Sequence, residues 1–427
     1  MDMIIKNGYL VEPRQGIEGK YDILVRHGMI AGVDKNIKKD ASCRILDAKG
    51  LYVFPGLIDM HCHLREPGRE DEETIVNGSL SAVKGGFTTI CCMPNTSPPL
   101  DNKVAISFVK NRALTAYCDV LPVGAITVNR EGKELASYGE MVQEGACAFS
   151  DDGDCVMDSL VMRRALEYSK LYGKRIISHS EDKFLSKNGV MHEGALSAKM
   201  GLIGIPRQSE EIMVNRDIAL AELTGGLLHI AHLSTKEAVD AIRRARKNCP
   251  NITCEVTVHH LILTEEAVEG YNANAKVSPP LRTAKDLKAL VDGLKDATID
   301  CIVTDNAPHS IEEKESGFEN APFGIIGFET ALPLSMGLSE KGPGIRQIIS
   351  AWTDGPARVL GLKDRGSIAE GMRADLVIVD PALEWVYEEE EILSKSKNSP
   401  FVGWKLKGKV MATVCKGRVV FESKGRK

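Results

Sequence analysis

Gly56-Leu57-Ile58-Asp59-Met60-His61-Cys62-His63-Leu64-Arg65 is an apolar run that ends in two histidines one residue apart, with an arginine two residues further on. In a strand over Leu57–His63, alternate side chains share a face, so His61 and His63 point the same way. Two imidazoles on one face at a strand end make half of a metal site. An isolated His-x-His is as readily a coincidence, and the rest of the chain decides between the two readings.

Outward from this stretch, short apolar runs recur, separated by longer amphipathic segments. Eight of them read as strands: Leu57–His63, Phe87–Met93, Asp119–Ala125, Ala146–Ser150, Arg175–His179, Leu227–His232, Ile252–Val258 and Cys301–Thr304. Helical periods fall between them, for example over Thr74–Lys84, Ser159–Leu171, Glu210–Leu223, Lys236–Arg246 and Ala284–Leu294. Strand and helix alternating eight times predict an α/β fold of the (β/α)8 TIM-barrel type over residues 54–356. Both flanks are strand-rich. Residues 3–53 carry His27-Gly28 between two strand-like runs, where a tight turn belongs, and Lys416-Gly417 reads as a hairpin turn after Val410–Cys415. Residues 1–53 and 357–427 are therefore expected to form one small β-sandwich domain built from both chain ends. The acidic run Glu384–Glu391 reads as a solvated face.

The bulk composition suits an ordinary globular protein, with 427 residues, 43% hydrophobic and 26% charged. A net charge of -5 gives no electrostatic reason to expect nucleic acid or an anionic membrane. No signal peptide and no membrane-length apolar run is read, and a cytoplasmic location is expected. The 11 cysteines lie in apolar segments without a Cys-x-x-Cys pair, which predicts buried, reduced thiols rather than a disulfide framework.

Chemistry in such a barrel gathers where strands end and loops begin. Strand one supplies His61 and His63, strand four runs into Asp151-Asp152-Gly153, strand five ends at His179, strand six at His232 and strand eight at Asp305. Each has a bland alternative as a turn or a hydrogen-bonded structural residue. Five strand ends repeating the coincidence make a shared site the better reading. Nitrogen and carboxylate ligands without thiolate suit zinc, with manganese, cobalt or iron as weaker options. The donors exceed the four that one zinc takes, which points to two metals bridged by a carboxylate. Metal-assisted hydrolysis of an amide-like bond follows as the reaction class. Asp305 could bind one metal and also handle the proton of the attacking water.

With strand-end His179, His232 and Asp305, the opening stretch resembles the amidohydrolase superfamily. His63-Leu64-Arg65-Glu66-Pro67-Gly68, Met93-Pro94-Asn95-Thr96, Ser150-Asp151-Asp152-Gly153, Pro279-Pro280-Leu281-Arg282 and Thr304-Asp305-Asn306-Ala307-Pro308-His309 resemble the dihydroorotase family of the long bacterial type. The resemblance implies interconversion of dihydroorotate and N-carbamoyl-aspartate in pyrimidine synthesis. It implies two Zn2+ ions, the first held by His61, His63 and Asp305 and the second by His179 and His232. Asp152 and a hydroxide would bridge them, with aspartate where many relatives use a carboxylated lysine. It implies Asp305 as general acid/base, and Arg65, Asn95 and His309 as holders of the substrate carboxylate. His63, Ser278 and the Phe323-Gly324 backbone are further substrate contacts. A planar guanidinium suits a carboxylate; the rival reading of Arg65 is an ion pair with Glu66 or Glu70. A homodimer and association with aspartate transcarbamoylase are expected partners.

Two positions depart from the family pattern. Asn306 stands where a histidine is usual and cannot titrate near neutral pH, although it keeps hydrogen-bonding groups. Ser278 stands where asparagine is usual and is shorter. Neither change removes a metal ligand. Asp151 reads as supporting the site or capping a helix, His259 and His260 as supporting or structural at least as readily as substrate contacts, and His192 and His229 as structural. The alternatives are an allantoinase or hydantoinase-like cyclic amidase, disfavoured by Arg65, and a non-catalytic partner of aspartate transcarbamoylase, disfavoured by the complete ligand set.

Overall fold

The eight apolar runs form eight short strands in a computed structural model, which describes residues 2–38, 43–340 and 342–423. They are Leu57–Cys62, Phe87–Cys92, Asp119–Pro122, Phe149–Ser150, Ile176–Ser178, Leu228–Ile230, Ile252–Thr257 and Cys301–Val303. All neighbouring pairs are parallel. Two isolated parallel bridges, Gly124 to Phe149 and Cys62 to Asn306, close the ring. Every residue of strands one, two and seven is buried. Burial on both faces is why these runs read as continuous apolar stretches rather than alternating ones.

Helices follow the strands as expected over Ile75–Lys84, Ser159–Lys170, Gln208–Thr224, Lys236–Ala245 and Ala284–Lys295. Further helices lie at Lys103–Arg112, Tyr138–Glu144, Phe328–Gly337 and Ile345–Trp352. Phe328–Gly337 is obscured in the sequence because it carries Pro333 and is buried at nearly every position, so it has no polar stripe. Thr74 starts the first helix by accepting from the Asn77 amide.

An eight-stranded sheet from both chain ends lies beside the barrel. Its order runs Arg418–Glu422, Lys405–Cys415, Leu376–Val386, Tyr52–Pro55, Met3–Glu12, Ile17–Arg26, Met29–Asp34, with Arg44–Asp47 paired to Met3–Glu12. It carries its own apolar core, including Ile5, Leu10, Ile23, Val25, Leu376, Ile378 and Val414. This is the β-sandwich domain that accompanies the barrel. The two turns read from sequence take left-handed backbone at both residues, with φ of 51° and 78° at His27-Gly28 and 51° and 72° at Lys416-Gly417. Ten of the 11 cysteines are buried and all are free. Among the described residues, no helix is long and apolar enough to cross a membrane.

The sheet is tied to the barrel by charge. Asp119 on barrel strand three accepts from Arg365 at 2.8 Å and Arg373 at 2.6 Å, and it also pairs with Lys416. Both arginine side chains are about 10% exposed. Removing the carboxylate leaves two nearly buried cations without it. Asp119→Ala should therefore destabilise the fold by about 3 kcal/mol. Chemical denaturation monitored by circular dichroism measures this; a change below about 0.5 kcal/mol, the range of ordinary surface substitutions, contradicts it.

Candidate metal centre

The six residues singled out as ligands meet at the C-terminal mouth of the barrel. His61 Nε2 lies 3.1 Å from Asp152 Oδ1 and 3.7 Å from Asp305 Oδ1. His63 Nε2 lies 2.9 Å from Asp305 Oδ1 and 3.5 Å from Asp152 Oδ2. His179 Nδ1 and His232 Nε2 each lie 3.6 Å from Asp152 Oδ1 and 2.8 Å from each other. Tetrahedral zinc with bonds of 2.0–2.1 Å separates its ligands by about 3.3 Å, so this is the spacing of donors around shared cations. Asp152 stands amid the four rings, with Oδ2 toward His63 and Oδ1 toward His61, His179 and His232, so His61 shares the oxygen that faces the second pair.

Two observations test the fit to metal. His61 Nε2 and Asp152 Oδ1 are buried and have no hydrogen-bond partner. Orphaned buried polar atoms are costly unless something satisfies them. The second concerns how the rings are held. His61 Nδ1 donates to Glu255 Oε1 at 2.6 Å, His63 Nδ1 to Asn95 Oδ1 at 2.7 Å, and His179 Nε2 to Glu181 Oε2 at 3.0 Å. Each such bond fixes the tautomer and leaves the other ring nitrogen bare toward the centre. The donor set therefore fits divalent cations.

Electrostatics agree. Burial works to raise the carboxyls of Asp152 and Asp305, but the surrounding imidazoles outweigh it and hold both well below the usual carboxylate range. Burial opposes a charged His61, yet Asp152, Glu255 and Asp305 push it well above its ordinary value. The cluster therefore demands positive charge, as protons or as metal. Backbone strain marks the same place. His232, Asp305 and Arg65 adopt left-handed φ of 30°, 47° and 60°, which non-glycine residues hold only where their surroundings impose it.

A cavity of about 940 Å3 opens over the cluster, and Arg65, Asn95, Ser278, His309, Phe323 and Gly324 line it. Arg65 pairs with neither Glu66 nor Glu70. It lies 3.1 Å from Glu72, donates to the Pro308 carbonyl at 2.9 Å, and meets His309 Nε2 at 3.0 Å. His309 Nδ1 donates to the same Glu72 at 2.8 Å. Burial and the cations of Arg65 and Lys314 act to lower His309 to about 3, while acceptors stand at both ring nitrogens, Glu72 at Nδ1 and the Phe323 carbonyl 2.9 Å from Nε2.

Several residues fall elsewhere than the cavity wall. Asn306 is buried, its Oδ1 accepting from the Gly327 amide at 2.9 Å and its backbone carbonyl from His63 N at 2.8 Å. It closes the barrel seam instead of facing the cavity. Asp151 accepts from the amides of Ile126 and Thr127, at 2.8 and 3.1 Å. His260 bonds Thr257 and the Pro279 carbonyl, and His192 bonds Arg282. His229 has a closer link to the site than a purely structural reading gives it, because its Nε2 donates to the Glu255 that holds His61. Glu255, Glu181 and Glu72 are absent from the sequence reading. A lone carboxylate inside the buried run Ile252–Thr257 was the available signal for Glu255, and Glu181 stands two residues past His179.

The family described as Dihydro-orotase-like matches residues 50–238, and the one described as Amidohydrolase family matches residues 338–421. A protein of Trichlorobacter lovleyi named dihydroorotase is 47% identical, covering 99% of this chain and 100% of that one. The dihydroorotase of Caldanaerobacter subterraneus is 45% identical over 99% of this chain and 98% of its own. Among solved structures, the L-hydantoinase (dihydropyrimidinase) of Arthrobacter aurescens superposes with a TM-score of 0.89 at 26% identity, covering 99% of this chain and 96% of that one. Barrel, accompanying sheet and ligand cluster together define a metal-dependent cyclic amidohydrolase. Within that class, the chain belongs to the dihydroorotase family.

Glu255 is fully buried, and burial acts to raise its carboxyl while His61 and His229 hold it down at about 2. It orients His61 as an acceptor. Glu255→Gln should lower metal affinity about 10- to 100-fold, measured by competition with a chromogenic chelator. Unchanged affinity in a folded variant contradicts this role.

Proposed function

We propose that this protein interconverts dihydroorotate and N-carbamoyl-aspartate, opening and closing a ring amide, as a step of pyrimidine synthesis. One observation carries the choice of substrate: the Arg65 guanidinium stands beside the ligand cluster at a cavity wall, against His309, and one buried carboxylate, Glu72, holds both. A ring bearing a carboxylate gives these groups something to bind, and a neutral ring does not. That disfavours an allantoinase or hydantoinase-like activity.

The roles follow from position. His61, His63 and Asp305 would hold one zinc ion, His179 and His232 a second, and Asp152 would link them. When bound, such a pair lowers the pKa of a water and polarises the scissile carbonyl. Asp305 is 13% exposed at the cavity, where it takes the proton of the attacking water and returns it to the leaving ring nitrogen. Arg65, His309 and the Asn95 amide orient the substrate carboxylate. Asn95 also fixes the His63 ring, which couples substrate position to the centre. Ser278 and the Phe323-Gly324 backbone line the space left for the ring. Residues 54–356 form the catalytic unit, and residues 1–53 with 357–427 its companion. A cytoplasmic homodimer, able to associate with aspartate transcarbamoylase, completes the reading.

Turnover of dihydroorotate, allantoin and dihydrouracil by zinc-loaded protein tests the proposal. Dihydroorotate should be the preferred substrate, and robust turnover of allantoin with none of dihydroorotate contradicts it. Asp305→Asn should lower kcat at least about 100-fold. Arg65→Lys should raise KM for dihydroorotate roughly 10-fold, because an ammonium cannot make the bidentate contact.

A further inference from the structure

Two lysines are spent on one loop. Lys276 is 2% exposed, and its Nζ donates to the carbonyls of Phe318, Glu319 and Ala321 at 2.7, 3.0 and 2.7 Å. Lys314 is 6% exposed, and its Nζ donates to the carbonyls of Pro322 and Gly324 at 2.9 and 3.1 Å. The Lys276 carbonyl also accepts from the Gly324 amide at 2.9 Å. The Lys276 ammonium lies over the Phe323 ring, 4.7 Å from its centroid. A buried ammonium normally meets a carboxylate. Here backbone oxygens of a single turn of chain solvate two of them, and residues 319–324 of that turn line the cavity. The loop has little room to shift without consequence. Gly324 has φ of 149°, and a side chain there would stand 2.7 Å from Ala307 and 2.9 Å from His309.

We propose that Lys276 and Lys314 are positioning residues for the substrate: together they clamp residues 318–324 so that Phe323 and Gly324 hold the ring against Arg65 and His309. This rests on the reading of the cavity as a dihydroorotate site. The clamp is strongest with both lysines charged: a neutral amine has two hydrogens and Lys276 serves three carbonyls, while at Lys314, which serves two, loss of the charge weakens both hydrogen bonds, because an ammonium is the stronger donor. Burial lowers Lys276 to about 8, with Glu319 opposing, and lowers Lys314 to about 7, with the charge of Lys276 adding to the effect. His309 also faces Lys314, and its lowered value lies below this range. Each lysine loses its proton as pH rises through its lowered value, so the loop is held at pH 6.5 and loosens by pH 9.

The experiment compares zinc-loaded wild-type protein with Lys314→Met, Lys276→Met and Lys314→Arg. It reads amide hydrogen exchange over residues 318–324, and kcat and KM for dihydroorotate from pH 6.5 to 9. Either methionine variant should speed exchange in that segment alone and raise KM about 10-fold at pH 6.5, with kcat within about threefold. Arginine keeps its charge throughout, so Lys314→Arg should flatten part of the wild-type rise of KM with pH. Unchanged exchange over 318–324 in both methionine variants overturns the clamp. So does the same pH dependence of KM in wild type and Lys314→Arg. If a methionine variant does not fold, the arginine comparison still decides. Failure of wild type to turn over dihydroorotate sinks the substrate reading alone, because exchange reports on the loop without it.

Discussion

A carboxylate buried to 3% exposure among four imidazoles requires positive charge beside it, and Asp152 imposes that requirement on its surroundings. An uncompensated buried charge costs several kcal/mol, a sizeable part of a domain's stability. Protons on the histidines can supply the charge, and so can divalent cations. The acceptors behind the rings favour cations. Glu255, Asn95 and Glu181 each take the far N–H of a ring and aim its lone pair inward. The barrel makes this possible, because its parallel strands bring residues 61, 152, 179, 232 and 305 to one mouth although almost 250 residues separate the first from the last. Strain at His232 and Asp305 is held in place by the same closed ring of strands.

The cavity wall is joined to that centre through Asn95. Asn95 touches His63 and lines the cavity, and Glu72 holds Arg65 and His309 together. The Arg65–Glu72–His309 group and the ligand cluster thus face one cavity.

Much of this was legible in the amino-acid order. All eight strands lie within the runs chosen for them, because strands buried on both faces leave unbroken apolar stretches. The six clustered residues were found because barrel chemistry sits at strand ends, a position countable along the chain. What escaped was the layer behind them. Glu255, Glu181 and Glu72 act through partners distant in sequence or through side-chain direction, and neither leaves a periodic signal. Arg65 was given Glu66 or Glu70 as its rival partner because they are near in sequence, yet its left-handed backbone carries it to Glu72. Asn306 invited a reading in terms of proton traffic because its neighbour is Asp305. Its side chain turns to the Gly327 amide, and its backbone completes the seam with strand one. The lysine clamp was equally hidden, since a lysine in sequence reads as surface.

The most direct test is a crystal structure of the zinc-loaded protein with dihydroorotate bound, with the metals located by anomalous scattering. Two metal peaks about 3.5–4 Å apart, one against each Asp152 oxygen, with the substrate carboxylate on Arg65 and His309, are the expected result. A single metal peak, or a carboxylate bound away from Arg65, would contradict the account.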